Sequence, residues 1–300
     1  MNVSLQRVTD ETFDAEAYLA ANPDVAEAGM SAEEHYRAFG RHEERFQRAP
    51  MEARFKRFRG ILEAPWDAYT AFPIFTSGAH HDLSQYLAES ANAGFPPYDD
   101  EIRANPDKLY MDLGCGRRME KFDNCLYLEV YPSVSADVVV EPNCLYPIRS
   151  GSLDGIGCFA VLEHCRKPWQ VVAEITRMLK PGGKAFIDWP FLQPVHGFPS
   201  HFFNTTREGL RSVFEDNGFE VEICATGAHQ TPAYSVEWLL RAFCNNLSGP
   251  LRADFEALTV KELVEMDRQG ERWWRFLDAL SPEGFSELAC GNYLIGSKRA

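Results

Sequence analysis

From residue 108 to about residue 227, short apolar runs alternate with amphipathic stretches, and no other feature of the chain narrows the fold so far. "KLYMDL", "CLYLEV" and "ADVVVE" read as short strands. The β-branched run of the third suits a parallel strand buried on both faces. "SLDGIGCFAVL" and "KAFIDWPF" read as a fourth and a fifth strand. Between them "PWQVVAEITRMLKPGG" places Val171, Val172, Ile175, Met178 and Leu179 on one helical face, with Pro181, Gly182 and Gly183 as a stop. "TTREGLRSVFEDNGF" predicts a helix capped by Thr205 or Thr206 and ending at Gly218, followed by a strand "EVEICAT". Strands alternating with helices predict an α/β fold: a parallel sheet with helices on both faces. Residues 232–281 break this rhythm with two or three helices and read as an insertion. "FSELACGNYLIGSK" then returns as a last strand.

The first 48 residues read as a small helical module. Asp10 or Thr12 is the expected cap of a helix carrying Phe13, Tyr18 and Leu19. Pro23 suits the first turn of another helix. Ser31 is a good N-cap for a third, with Gly40 as its C-cap. Residues 49–105 form a helical and linker region. "MEARFKRFRGIL" and "HHDLSQYLAESANA" read as its helices, and "GFPPYDDEIRANPD" reads as linker. Residues 106–300 make up the remaining domain, interrupted by the insertion.

The chain has 300 residues and a formal net charge of −14, which argues against nucleic acid or an anionic membrane as partner, since both need a cationic footprint. The basic cluster of Arg54, Lys56, Arg57 and Arg59 reads as a solvated helix face. No apolar stretch approaches the ~20 residues of a membrane-spanning helix, and the N-terminus lacks the apolar core of a signal peptide. The eight cysteines contain no C-x-x-C pair, so zinc-ribbon and thioredoxin spacings are missing. Most sit in apolar runs and read as reduced, buried thiols of a cytoplasmic protein. His80, His81 and Asp82 are not read as a metal site, because adjacent residues on a helix point apart.

Gly114 and Gly116 follow the first strand of the alternating region, where an open α/β sheet binds its ligand. The dinucleotide fingerprint asks for a third glycine at position 119, which is Met119, and no phosphate-cradling G-K-[ST] follows. Glu129 closes the second strand, where a carboxylate accepts from both hydroxyls of a ribose. Glu141 closes the third, placed to accept from an exocyclic amine. Carboxylates without a phosphate cradle suit a nucleoside that carries positive charge, and S-adenosylmethionine is such a ligand.

The stretch 108–227 resembles class I S-adenosylmethionine-dependent methyltransferases, in particular the broad methyltransferase-11-like bacterial group. The matching pieces are "DLGCG" (112–116), Glu129, "VVVEPN" (138–143), "LDGIGCFAVLEH" (153–164) and "EITRMLKPGGKAFIDWPF" (174–191). The resemblance implies a Rossmann-like, seven-stranded sheet whose reversed last strand is "FSELACGNYLIGSK". It places Asp112 and the backbone of Gly114, Cys115 and Gly116 at the amino-acid end of the cofactor. It puts Glu129 at the ribose and Glu141 near the adenine, with Phe159 and Ala160 lining the slot. Pro142 lacks the N–H often offered to adenine, and Asn143 substitutes for it. His164 is expected beside the cofactor or the acceptor, although Glu163 and His164 could instead cap the following turn. Cys115 reads as a packing residue rather than a nucleophile. "DWPF" (188–191) ends the fifth strand rather than the fourth, so adenine or cytosine methylation is rejected.

Methyl transfer to an alcohol requires the loss of a proton, which a histidine near its ordinary pKa serves well. "PFLQPVHGFPSHFFNTT" (190–206) leaves the fifth strand with His196 and His201 as candidate catalytic residues. The N-terminal module resembles a short helical unit of large bacterial proteins, often beside glycosyltransferase domains. That points to O-methylation of a glycan or sugar-linked acceptor in polysaccharide biosynthesis, with a protein partner on the module. The alternatives are a small natural-product or lipid-like acceptor, and a non-catalytic cofactor-fold interaction protein. No metal is expected. Trp238, Trp273 and Trp274 of the insertion read mainly as core packing.

Overall fold

The computed structural model describes residues 2–3, 5–49, 51–82, 94–197 and 200–292. It divides into two compact units: residues 1–162 with 167–188, and residues 163–166 with 189–300.

The first unit opens with the helical module. Strand β1 (Leu5–Arg7) pairs antiparallel with β2 (Phe46–Arg48), a ribbon the sequence reading missed, and encloses the module's helices between its two strands. Helices α1 (Ala15–Ala21), α2 (Pro23–Glu27) and α3 (Ala32–His35) lie between them, and a π-helical turn, Tyr36–Gly40, extends α3. Asp14, rather than Asp10 or Thr12, caps α1 by accepting from the Ala17 N–H at 2.8 Å. Ser31 caps α3 as expected, accepting from the Glu34 N–H at 3.2 Å. Gly40 serves close packing rather than a left-handed cap: a Cβ there would lie 2.2 Å from the Tyr18 hydroxyl oxygen.

Helix α4 (Ala53–Phe58) follows the module; of the basic cluster Lys56 and Arg59 are exposed, as expected, but Arg54 is turned inward. Arg54 is held by both oxygens of the buried Asp137, at 2.5 and 2.6 Å. Asp137 also accepts from Lys121 Nζ at 2.7 Å and from the Tyr127 N–H at 2.8 Å. Residues 80–82 are not helical, and 83–93, where the rest of that expected helix falls, lie outside the described residues.

The sheet of this unit has six strands, all parallel. They are β3 (Ile74–Phe75), β4 (Tyr110–Leu113), β5 (Cys125–Glu129), β6 (Val138–Val139), β7 (Leu153–Phe159) and β8 (Leu179–Asp188), with α5 (Pro96–Ala104) before β4 and α6 (Pro168–Met178) before β8. Their order across the sheet is β8-β7-β4-β5-β6-β3. Every residue of β4 and β5 is buried, as expected of parallel strands covered on both faces. One face carries a layer of rings: Tyr98 and Ile102 of α5 pack with Tyr110, Tyr127 and Phe159. Gly155 and Gly157 of β7 make room for it, since a Cβ on either would lie within 2.7 Å of a Tyr110, Tyr98 or Phe159 ring atom. Helix α6 buries Val172, Ile175 and Met178, the stripe its spacing predicts. It ends at Met178, and residues 180–183 run on into β8 with a register shift instead of forming a separate stop.

The second unit is helical: α7 (Arg207–Glu215), α8 (Pro232–Asn245), α9 (Gly249–Glu256), α10 (Val260–Glu265), α11 (Glu271–Leu277) and α12 (Pro282–Leu288). Thr206 caps α7 as expected. Trp273 packs with Phe243, Phe255 and Phe276 in the core of the inserted helices. One expected strand fails, and the other falls partly outside the described residues. Residues 220–226 are irregular, and most of their side chains are exposed or half-buried. Residues 285–288 belong to α12, while 293–300 lie outside the described residues. The parallel sheet therefore has six strands, not seven, among the described residues.

Candidate active site

The C-terminal end of β4 turns on two glycines with positive φ, Gly114 at 71° and Gly116 at 54°. Position 114 must be glycine on a second count, because a Cβ would meet Val161 Cγ2 at 2.4 Å. The N–H groups of Gly114 and Cys115 both donate to the Leu128 carbonyl, at 2.9 and 3.1 Å. Glu129, buried at the end of β5, ties two turns together. Its Oε2 accepts from the Gly116 N–H at 2.9 Å and its Oε1 from the Val130 N–H at 2.8 Å. Two of the roughly four acceptor positions of a carboxylate thus serve backbone amides, which fix the plane of the group. Cys115 is fully buried, and burial pushes its thiol well above the ordinary range. That is the chemistry of a packing residue, not a nucleophile.

Asp112 is buried and engaged by a residue the sequence reading overlooked. Arg118 Nε lies 2.6 Å from its Oδ2, and a second guanidinium nitrogen lies 3.0 Å from its Oδ1. Burial raises the Asp112 carboxyl from its ordinary value, and the Arg118 hydrogen bonds oppose that rise. The guanidinium also stands 5.9 Å from the centre of the Phe159 ring, a cation–π contact. Asp112, Arg118 and Phe159 border a cavity of about 200 Å³ that Phe95, Tyr98 and Asp99 of the α5 region also line.

Ala160, just past β7, adopts φ 53° without being glycine, and its N–H donates to the Asp188 carbonyl at 3.0 Å. Such strain collects at functional positions and costs about 1–3 kcal/mol. Glu141 and Asn143 lie on the exposed loop after β6 and are not drawn into the buried turn. Asn143 is left-handed at φ 63°, a conformation asparagine tolerates.

In the second unit the structure gathers three histidines that the sequence scatters. The ring centres of His164, His196 and His201 lie 4.5–5.6 Å apart. Their tautomers follow from the partners. Asn204 Nδ2 donates to the Gln193 carbonyl at 3.0 Å, which turns Asn204 Oδ1 toward His201 Nε2 at 2.7 Å. His201 therefore carries its proton on Nε2. Its Nδ1 lone pair receives the His196 backbone N–H at 3.3 Å and lies 3.1 Å from His196 Nδ1. His196 Nδ1 also faces the Pro194 carbonyl at 2.9 Å, and a carbonyl can only accept. His196 is thus protonated on Nδ1, and its Nε2 keeps the lone pair. By the same reasoning His164 donates from Nδ1 to the Ser200 carbonyl at 2.9 Å and keeps its lone pair on Nε2. Burial lowers the pKa of both His164 and His196, so both rings are neutral near pH 7. Trp238 of α8 packs on His196, with ring centres 4.8 Å apart.

Residues 121–187, which run from the turn before β5 to the end of β8, match the methyltransferase-domain family. The chain carries a methyltransferase domain. It is of the S-adenosylmethionine-dependent, class I kind that the glycine turn and Glu129 led us to expect. No curated protein sequence matches the chain. Among solved structures, the methyltransferase chain is similar at 16% identity to the phosphoethanolamine N-methyltransferase 2 of Haemonchus contortus in complex with S-adenosyl-L-methionine. That match covers 60% of this chain and 46% of the other, at a TM-score of 0.33. The N-terminal domain of EvdMO1, in the presence of S-adenosylhomocysteine and D-fucose, is 16% identical over 46% of this chain and 80% of the other, at 0.31. The [4+2]-cyclase SpnF is 18% identical over 39% and 53%, at 0.29. Likenesses this loose carry no argument about acceptor or reaction. No described helix of the methyltransferase chain is long and apolar enough to cross a membrane.

Proposed function

We propose that this methyltransferase places a methyl group on a hydroxyl oxygen of a glycan or sugar-linked acceptor, with His196 as general base and His201 as the residue that positions it. The observation that carries the reading is the chain from Asn204 through His201 to His196, which leaves the His196 Nε2 lone pair as the open end. S-adenosylmethionine supplies an electrophilic methyl group on a sulfonium. Glu129 would hold its ribose, and Asp112 with the backbone of Gly114, Cys115 and Gly116 its amino-acid end. Glu141 and Asn143 would face the adenine, and Phe159 and Ala160 would line the slot. His164 we assign to the histidine group instead. The remaining work of the protein is to hold an alcohol in line with the methyl group and to take its proton.

The sugar acceptor is supported by the resemblance of the N-terminal module to units found beside glycosyltransferase domains. The same resemblance supports a cytoplasmic enzyme of polysaccharide biosynthesis that binds a protein partner through the module. A lipid-like acceptor is the second reading. It is favoured by the exposed apolar side chains of α8, among them Tyr234, Val236 and Leu239. The test is a comparison of methylated sugars in surface glycan from the parent strain and from one lacking the gene. Loss of one methyl ether, restored by the wild-type gene but not by His196→Ala, is expected. An unchanged sugar profile would exclude the glycan.

A further inference from the structure

We propose that Glu163, His164 and His196 form a binding site for a divalent transition metal of the zinc class. One ligand atom from each lies within 4.8 Å of the other two. The Glu163 side chain is fully buried, and its Oε1 stands 3.8 Å from His164 Nε2. The donor set, two imidazoles and one carboxylate, is that of open zinc and iron sites and not of magnesium or calcium, which prefer oxygen alone.

The orientation of the rings argues for a site rather than a chance cluster. A histidine that binds metal through one nitrogen nearly always donates its other N–H to a carbonyl or carboxylate, which fixes both tautomer and direction. Both histidines do this. His164 Nδ1–H reaches the Ser200 carbonyl and His196 Nδ1–H the Pro194 carbonyl, so each presents Nε2. His201 supports the second of these from behind. Gly197 keeps the site clear on one side: it adopts φ 79°, and a Cβ there would lie 2.4 Å from His164 Cε1 and 2.9 Å from its Nε2.

The site shares His196 with the base proposed above but does not depend on it. A bound ion would take the same Nε2 lone pair, so His196 would not hold the ion and accept a proton at the same time, and the test below reads binding rather than turnover.

The full-length protein, stripped with a chelator and dialysed, is titrated with zinc chloride by calorimetry and with cobalt chloride by visible absorption. We expect one ion per chain and the d–d bands of cobalt at a low-coordinate nitrogen and oxygen site. His164→Ala and Glu163→Gln should each weaken zinc by about 100-fold or more, and His201→Ala by about tenfold through His196 alone. Cys165→Ser, beside the site, should leave affinity unchanged. Circular dichroism on each variant separates lost binding from lost folding, and Glu163→Gln keeps the buried side chain's shape if an alanine there does not fold. The proposal is overturned if the wild type binds no zinc, if magnesium binds as tightly, or if the double variant His164→Ala/His196→Ala binds zinc as the wild type does. None of these readouts uses turnover, so a silent calorimeter removes the metal site and leaves the methyl-transfer reading standing.

Discussion

His196 Nδ1 lies 3.1 Å from His201 Nδ1, and the backbone N–H of His196 reaches the same His201 nitrogen at 3.3 Å. Two donors on one acceptor nitrogen hold His196 in a single tautomer. His196→Ala should lower kcat by about 100-fold, the ordinary contribution of a general base. His201→Ala should lower it by about tenfold, with cofactor affinity unchanged in both. Retention of full turnover by His196→Ala would refute the base assignment.

Burial depresses the pKa of His164 and His196 from the ordinary 6.5. The sign for stability follows from linkage. On acidification the unfolded chain takes up protons at about pH 6.5, before the folded one does. The contribution of these histidines is therefore fully present above pH 6.5 and is lost as pH falls through their lower folded values. The base form of His196 should likewise persist below pH 6.5 in a kcat profile. Urea midpoints measured across this range should fall for the wild type and fall less for His164→Asn/His196→Asn. Equal slopes would show that the rings do not titrate as stated.

Gly114→Ala should destabilise the protein by about 2–4 kcal/mol, the sum of a left-handed penalty and an overpacked contact with Val161. Thermal unfolding measures it. A change below about 0.5 kcal/mol would mean that the turn relaxes freely.

Asp137→Ala should cost about 3–5 kcal/mol, because it leaves Arg54, itself largely buried, without its carboxylate. The Arg54→Met, Asp137→Leu pair should recover much of that loss. Denaturant unfolding of the three variants decides the point, and equal losses in single and double variants would contradict it.

The sheet was legible because parallel strands advertise themselves. Leu126, Leu128, Val138 and Val139 are apolar on both faces since both faces are covered. The glycine turn and Glu129 were legible because their chemistry is local. The mistakes have one physical origin, contacts distant in sequence. Arg54 looked like one charge of a solvated cluster until Asp137, 83 residues away, proved to be its partner. His164 joins His196 and His201 across more than 30 residues, and no spacing announces that. Val221 and Ile223 have strand-like alternation, yet Ile223 is exposed and the segment forms no ladder. A pattern of this kind becomes a strand only where a neighbour offers a free edge.

The most direct test of the account is calorimetric titration of the wild-type protein with S-adenosylmethionine, repeated on Glu129→Ala. We predict saturable binding of one molecule per chain, weakened about tenfold or more when the buried carboxylate that accepts from Gly116 and Val130 is removed. No heat of binding by the folded wild type, or equal affinity in both proteins, would contradict it.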